Sequence, residues 1–316
     1  MSLSPAARAF WQIHLCVLLW GFTAIFGKLI RLPALALVWW RMLLVCVVLL
    51  LLPRVWRGLR ALPRRLLLAY CGIGALVAGH WLTFYAAIKL SNASVAVACI
   101  ALASVFVAFI EPLIVGRRFD LRELLLGVLV VPGVVLVVGG VPDDMYAGIV
   151  VGVVSALLVA IFGPLNKRLV DRADPLTVTG LELGAGVVFL SLLAPLMVVL
   201  GWADTDTLLV LPGLADATYL LLLAFLCTLL PFALSLVALR HMSAFGAQLA
   251  INLEPIYAIV LAILFFGEQR ELEPGFYLGV GIILLSSFAH PLIARRPATT
   301  PNPETLATAE AKGVAE

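Results

Sequence analysis

Charged residues are scarce in this chain, and their scarcity excludes an ordinary soluble domain. Only 12% of the 316 residues are charged, while 63% are hydrophobic and the mean hydropathy is +1.13. A soluble domain carries about 25% charged residues. Apolar runs of the roughly 20 residues that a helix needs to cross a bilayer fill most of the sequence. The composition therefore predicts an all-α integral membrane protein.

Motifs for nucleotide hydrolysis and for common hydrolases are also missing. The chain has no GxxxxGK[ST] phosphate loop, no HExxH metal motif and no GxSxG elbow. Its four histidines are scattered without ligand spacing, and none of its five cysteines forms a CxxC pair. We therefore expect no enzyme activity, no ATP hydrolysis, no disulfide, no metal and no cofactor.

Ten apolar stretches are long enough to be membrane spans. They cover roughly residues 11–30, 34–53, 65–87, 91–115, 121–140, 146–166, 174–200, 213–239, 243–267 and 274–294. Residues 1–9 precede the first span. Residues 295–316 are rich in Pro, Thr, Ala and Glu and are expected to form a disordered cytoplasmic tail.

Basic residues are distributed unevenly between the two sides of the predicted spans. Sixteen of the 21 Lys and Arg residues fall on the side of the N-terminus, and four fall on the other side. Because cytoplasmic loops are rich in Lys and Arg, both termini are predicted to be cytoplasmic in a multi-pass inner-membrane protein. The basic loop at residues 54–65 is expected to meet anionic lipid heads, and it is not evidence for nucleic-acid binding.

Residues 89–118 and 240–269 are two copies of one segment. They align without a gap, 151 positions apart, with Lys89 opposite Arg240. Each half of the chain holds five predicted spans, so the second half must start on the opposite side of the membrane. The sequence thus predicts ten transmembrane helices in two inverted five-helix repeats, related by a pseudo-two-fold axis in the membrane plane.

Short motifs in the first and ninth spans are similar to those of a known family. The first span carries Leu19-Trp20-Gly21-Phe22, and the ninth carries Asn252-Leu253-Glu254-Pro255. The sequence resembles the EamA family of the drug/metabolite transporter superfamily, with one EamA repeat at 10–140 and a second at 146–294. The first repeat departs from the pattern, with Ala103-Ser104 aligned to Glu254-Pro255. The resemblance implies a permease for amino acids or other small metabolites, without fixing the cargo.

Glu254 is the leading candidate for a substrate or ion site. An ionisable group at the centre of a span costs roughly 2.5–3.5 kcal/mol on insertion scales, which makes it a functional hypothesis by default. Glu254 lies about midway along the ninth span, where Pro255 disturbs the helical hydrogen bonds. Asn252 is assigned to the same pathway, although it points to a different face of the helix. A paired structural acid near a helix kink is the alternative for Glu254.

Arg41 and Glu182 occupy matching places in the second span of each half. Symmetry puts both near the pseudo-axis, where Arg41 is expected either to bind a substrate carboxylate or to pair with Glu182 as a buried lock. His80 is a candidate proton relay in the third span. The alternative is a packing histidine bonded to a backbone carbonyl.

Aromatic and lysine side chains complete the candidate set. Trp20, Tyr85 and Tyr257 are assigned to a central pocket, although aromatic residues are equally common in interfacial belts. Lys28 and Lys167 lie at matching ends of the first span of each half. They are predicted to be gate or interface residues, and snorkelling to the membrane surface is the alternative.

The sequence as a whole predicts a secondary transporter that exports amino acids or related compounds by alternating access. Efflux of hydrophobic cationic compounds is the alternative transport function. A membrane enzyme and a non-transporting scaffold are the alternatives from other classes. The expected partners are a small-molecule substrate and the lipid bilayer. Proton coupling and a homodimer stay open, and no nucleic-acid partner is expected.

Overall fold

The computed structural model describes residues 4–138, 142–204, 210–266 and 274–293, and the regular secondary structure in these ranges is entirely helical. The predicted cytoplasmic tail lies outside the described residues. A π-helical segment, Phe225–Leu229, connects α10 to α11. The α-helices in chain order are α1 (Pro5–Leu29), α2 (Ala34–Leu50), α3 (Pro53–Ala61), α4 (Arg64–Leu90), α5 (Ala93–Ile100), α6 (Ala103–Val115), α7 (Leu121–Val138), α8 (Tyr146–Leu169), α9 (Pro175–Val199), α10 (Leu214–Ala224), α11 (Leu230–Leu239), α12 (Ala244–Ile251), α13 (Glu254–Phe266) and α14 (Pro274–Ile293).

Six helical stretches within the described ranges are long and apolar enough to cross a membrane. They are Pro5–Leu29, Arg64–Leu90, Ala93–Val115, Asp143–Leu169, Pro175–Val199 and Leu214–Leu239. Helices α2, α7, α12 with α13, and α14 occupy the other four predicted spans but are not among these six. The chain is thus a multi-pass helical membrane protein, whereas the full number of ten spans stays a prediction.

The basic segment after α2 is helical, contrary to the loop predicted at residues 54–65. Helix α3 begins at Pro53 and makes an angle of 91° with α2. Leu51 and Leu52 form the corner, because Pro53 fits the first turn of a new helix but cannot donate to a continuing one. Trp56 secures the bend by donating its indole N–H to the Leu50 carbonyl oxygen at 2.6 Å.

Two spans are broken at aligned positions of the two repeats. Helix α5 begins after its N-cap Asn92, and α12 begins after its N-cap Ser243, which is the aligned residue. Both helices stop after eight residues, at turns 101–102 and 252–253, before α6 and α13 continue. The two copies therefore share their cap, their break and their helix lengths up to the break.

Each half inserts its first helix into the other half. Helix α1 packs against α11 and α13, and α8 packs against α4 and α6. Small residues permit this close approach, because an added Cβ at Gly21 would lie 2.7 Å from the Cβ of Tyr257. The interior between the halves is consequently bordered by both parts of the chain.

Candidate functional site

An internal cavity of about 120 Å³ lies between the two halves. Its wall is mainly apolar and aromatic, with a few polar groups, a composition typical of small-molecule sites. The aromatic side chains in the wall are Trp20, Trp81, Phe84, Phe162 and Phe232, and the polar or charged ones include Arg41, His80, Asn166, Gln248 and Glu254.

Glu254 enters the cavity from the break in the ninth predicted span. Because the chain turns at residues 252–253, Glu254 is the first residue of α13, and its side chain is buried yet lines the cavity. The N-terminus of a helix carries partial positive charge, which favours a carboxylate there. The predicted kink is therefore a two-residue turn between α12 and α13, and the acid is the first residue after it.

Neutral amides lie next to this break. Both side-chain heteroatoms of Asn252 and the Nε2 of Gln248 are buried and have no hydrogen-bond partner among the described residues. Native proteins rarely leave such groups unpaired. Gln248 lines the cavity, so its amide is placed to bind a ligand. Gln248 was missed in the sequence because a glutamine in an apolar span gives only a weak signal.

Arg41 is held by three hydrogen bonds in the wall of the cavity. Its Nε donates to Thr228 Oγ1 at 2.5 Å, Nη1 donates to Tyr85 Oη at 2.9 Å, and Nη2 donates to the Cys227 carbonyl at 3.2 Å. The guanidinium also stacks over the ring of Trp81, 4.0 Å from its centroid. Its plane and direction are thereby fixed.

The acceptors for Arg41 arise from an irregularity in the helix opposite. In an α-helix the Cys227 carbonyl would bind the N–H of residue 231, but that residue is proline and has none. The chain forms a π-helical segment here, and Thr228 Oγ1 donates to the Leu223 carbonyl at 2.7 Å. Arg41 thus uses a carbonyl that the helix itself cannot satisfy, as is common where π segments occur at functional sites.

Arg41 and Glu182 do not form the predicted ion pair. The side chain of Glu182 is fully buried, and its Oε2 accepts a hydrogen bond from Asn166 Nδ2 at 3.4 Å. Arg41 is instead bound to the π-helical segment. Pairing with Glu182 was one of two alternatives for Arg41. It is not formed because matching places in two repeats give similar depth but do not bring two side chains together.

His80 makes the backbone contact that was its alternative assignment. Its Nδ1 lies 3.0 Å from the Ser155 carbonyl oxygen and 2.8 Å from Ser155 Oγ. Ser155 Oγ in turn donates to the His80 carbonyl at 2.9 Å. The imidazole nevertheless lines the cavity, and its role in a proton pathway stays a prediction.

The aromatic candidates divide into three positions. Trp20 lines the cavity, whereas Tyr85 is fully buried behind it and accepts from Arg41. Tyr257 packs its Cβ against Gly21 and is not one of the lining residues, contrary to prediction. In this case mid-span depth was a poor guide, because depth does not specify which face of a helix a residue occupies.

The lysine candidates lie at helix ends. Lys28 is exposed in the last turn of α1, and Lys167 Nζ donates to the Leu239 carbonyl at 2.6 Å. The aligned cations Lys89 and Arg240 show a shared arrangement. Lys89 Nζ binds the Ile30 carbonyl at 2.6 Å, and Arg240 Nη2 binds the carbonyls just after α8, at Val170 and Ala173. In each half a cation thus binds carbonyls that follow the first helix, where positive charge is favourable.

Glu111 forms a contact between the halves that the sequence did not reveal. Its side chain is 1% exposed and accepts hydrogen bonds from the backbone N–H of Ala244 at 2.9 Å and of Phe245 at 2.8 Å. Arg117 Nη2 also donates to it at 3.1 Å. The hydrogen bonds between Glu111 and the start of α12 join distant segments, so no local sequence pattern predicts them.

A helical membrane chain with an apolar cavity between two halves, carrying isolated charged and amide groups, has the construction of a small-molecule carrier. The family model described as the EamA-like transporter family matches twice, at residues 8–139 and 146–289. The chain belongs to this family and contains both of its repeats. EamA members are membrane transporters of the drug/metabolite superfamily, not enzymes.

Structural comparison supports the fold. A solved structure, described only as a crystal structure of a protein, is similar with a TM-score of 0.67 and 16% sequence identity, over 92% of this chain and 99% of that one. No curated protein matches the sequence. The family model therefore indicates the general function, which is transport, whereas the cargo must be inferred from the residues of the site.

Proposed function

We propose that the protein is a secondary transporter for small zwitterionic metabolites, most simply amino acids or close relatives. The observation that carries this proposal is the position of two opposite charges. Arg41 and Glu254 line the same cavity from different halves of the chain. No ion pair joins them within the described ranges. Two fixed, unpaired opposite charges suit a ligand that carries both signs.

The cargo would bind with its ammonium group at Glu254 and its carboxylate at Arg41. A guanidinium has five N–H donors, of which three are used in the contacts with Thr228, Tyr85 and Cys227. The remaining donors are suited to a carboxylate, since charge-assisted hydrogen bonds to ionised oxygens are the strong ones. Gln248 would add a neutral hydrogen bond, and the aromatic wall would contact an apolar side chain. Asn252 is buried next to Glu254 and does not line the cavity.

Transport would proceed by alternating access between two inverted five-helix repeats, 10–140 and 146–294, in the inner membrane with both termini in the cytoplasm. From the middle of the bundle the cavity extends to residues at one end of their helices: Asn166 near the end of α8, Leu239 at the end of α11 and Ala244 at the start of α12. In the proposed orientation this is the cytoplasmic end. We therefore assign the described conformation to the state in which an exporter binds its cargo from the cytoplasm.

Efflux of hydrophobic cations is the second candidate, and the aromatic side chains around Glu254 favour it. Aromatic faces attract organic cations, and a single buried acid would select positive charge. The two candidates differ at Arg41. A cationic cargo has no carboxylate for Arg41 to bind, so an Arg41 substitution that preserves folding should leave its transport intact.

Counterflow in proteoliposomes tests the proposal. Purified protein would be reconstituted with unlabelled amino acids inside, and uptake of a labelled amino-acid pool would be followed. Saturable exchange is expected, with a loss of at least about tenfold in Glu254→Gln, because removal of one charged partner from a buried site costs about 2–5 kcal/mol. Asp144→Asn, at an exposed acid, is the matched control and should exchange normally.

Two results would contradict the site. Normal exchange in Glu254→Gln would remove Glu254 from the pathway. Exchange of labelled organic cations but not of amino acids, undiminished in Arg41→Gln, would establish the second candidate instead.

A further inference from the structure

A second buried acid lies behind the wall of the transport cavity, apart from Glu254. Glu182, in α9, is fully buried, and its Oε2 accepts from Asn166 Nδ2 at 3.4 Å. Two atoms of this pair lack a hydrogen-bond partner among the described residues: Glu182 Oε1 and Asn166 Oδ1. The carboxyl group therefore depends on one neutral amide.

The two unpaired atoms are both acceptors, so the group that this pair lacks is a donor. An ionised carboxylate offers only acceptors, whereas an amide side chain offers one acceptor and one donor group. With a proton on Oε1, the carboxyl group of Glu182 has one donor and one acceptor. It can then donate to the amide oxygen of Asn166 while it accepts from the amide NH₂. The match holds whichever way the amide of Asn166 is turned, because either orientation presents one oxygen and one NH₂.

Cationic groups around Glu182 do not replace this proton. Helices α2, α3, α4 and α11 pack against α9. Several charged or titratable groups on or next to these helices, together with the neighbour of Asn166 on α8, are bound to other partners. These groups are Arg41, Arg54, Tyr70, His80, Arg240 and Lys167. Glu182 does not line the cavity and has no paired cation among these groups, so its ionised form is strongly disfavoured and the group becomes neutral, whereas Glu254 lines the cavity.

Access to the acid runs through the amide. Asn166 lines the cavity and Glu182 lies behind it, on a helix that touches α4 so closely that an added Cβ at Gly74 would lie 2.2 Å from the Glu182 carbonyl oxygen. Asn166 thus lies between the cavity and a carboxyl group that has no other hydrogen-bond partner in the described part of the chain. Protons can reach this acid from the cavity when water enters it.

We propose that Glu182 and Asn166 form a proton-binding site in the cavity wall, separate from the cargo charges, through which transport is coupled to a proton gradient. The inference rests on the transport function proposed above. A proton arriving through the cavity adds to Glu182 Oε1, and no covalent bond of the protein breaks. Its release leaves a buried carboxylate, which is tolerated only in a conformation that admits water or a cation.

Infrared difference spectroscopy on the protein in lipid films tests the proton site without any cargo. A protonated carboxyl group has a carbonyl stretch that an ionised one lacks. We expect a protonated-carboxyl band at neutral pH that disappears in Glu182→Gln and remains in the matched acid variant Glu254→Gln. Asn166→Leu, which keeps the acid but removes its partner, should shift the band. A spectrum unchanged by Glu182→Gln would overturn the proposal.

Transport measurements then separate a failed coupling site from a failed transporter. With the labelled amino-acid pool, Glu182→Gln should retain counterflow but lose, by at least about tenfold, the accumulation driven by an imposed pH gradient. Wild-type counterflow without any response to the pH gradient, or with a response to sodium alone, would overturn the proton site and leave the transporter standing. Absent wild-type counterflow would overturn the cargo assignment, whereas the infrared result would still decide the proton site.

Discussion

Glu111 caps the start of a helix that begins 133 residues later in the chain, at Ala244. The acid belongs to the first repeat and the helix to the second, so this contact fixes α6 to α12 at one end of the molecule. Two backbone N–H groups that have no partner inside α12 are satisfied by one buried carboxylate. Any relative motion of the halves must keep this contact intact or break all of it.

We expect Glu111→Ala to lower the thermal stability markedly. Hydrogen bonds to charged groups contribute about 1.5–3 kcal/mol each, and the change also removes one acidic partner of Arg117. Thermal unfolding in detergent, followed by tryptophan fluorescence, would measure the loss. The control is Glu123→Ala, which also removes a partner of Arg117 but does not remove the hydrogen bonds to the start of α12. Equal losses in the two variants would show that the cap contributes nothing.

Arg41 should not be replaceable by lysine. Its three bonds leave in different directions from one rigid plane, which also stacks on Trp81. A lysine ammonium cannot reproduce this planar arrangement. We expect Arg41→Lys to lose about 2 kcal/mol or more of stability. Arg54→Lys, at an exposed ion pair with Asp174, should change stability by less than about 1 kcal/mol.

The same thermal assay would compare the two lysine variants at equal protein concentration and in the same lipid-supplemented detergent. A tolerated Arg41→Lys would mean that only the positive charge matters at this position, and not the geometry of the guanidinium.

Two glycines on α4 provide a matched test of the contact between α4 and α9. An added Cβ at Gly74 would lie 2.2 Å from the Glu182 carbonyl oxygen, whereas at Gly72 nothing lies within 4 Å. Gly74→Ala should therefore destabilise the protein by about 1–3 kcal/mol through overpacking. Gly72→Ala should be neutral or stabilise by up to about 1 kcal/mol, because alanine favours a helix.

Size-exclusion thermostability of the two glycine variants, measured side by side, decides this prediction. If both alanines are tolerated, α4 and α9 are free to separate, and the burial of Glu182 described above would be wrong.

The aligned cations Lys89 and Arg240 should contribute similarly to stability. Each binds carbonyls that follow the first helix of its own half. Replacement by methionine keeps most of the apolar stem and removes the donor, with an expected loss of about 1.5–3 kcal/mol in each case. Arg57→Met, at an exposed position on α3, is the control and should be nearly neutral. A loss at only one of the two sites would mean that the repeats differ in how their helix ends are held.

Hydropathy was sufficient to predict an all-helical membrane fold, and the resemblance of short motifs indicated its family. Pro255 predicted a disturbed helix at Glu254, and the turn at residues 252–253 lies just before it. The partners of Arg41 could not be predicted, because the carbonyl of Cys227 becomes available only through a π-helical segment and Pro231. The contact between Glu111 and Ala244 could not be predicted for another reason. It joins distant segments and depends on how the helices pack, which the periodicity of a single segment does not specify.

The aligned breaks at 101–102 and 252–253 differ in one respect. The second has Asn252 and Glu254 where the first has Ala101 and Ala103. A gene duplication would produce the same turn twice, but the polar side chains are present in only one of the two copies. The two repeats therefore offer different chemistry at the same turn, although their backbones are similar there. One copy is free to diversify while the other keeps the binding groups, which gives a duplicated carrier a simple route to new cargo.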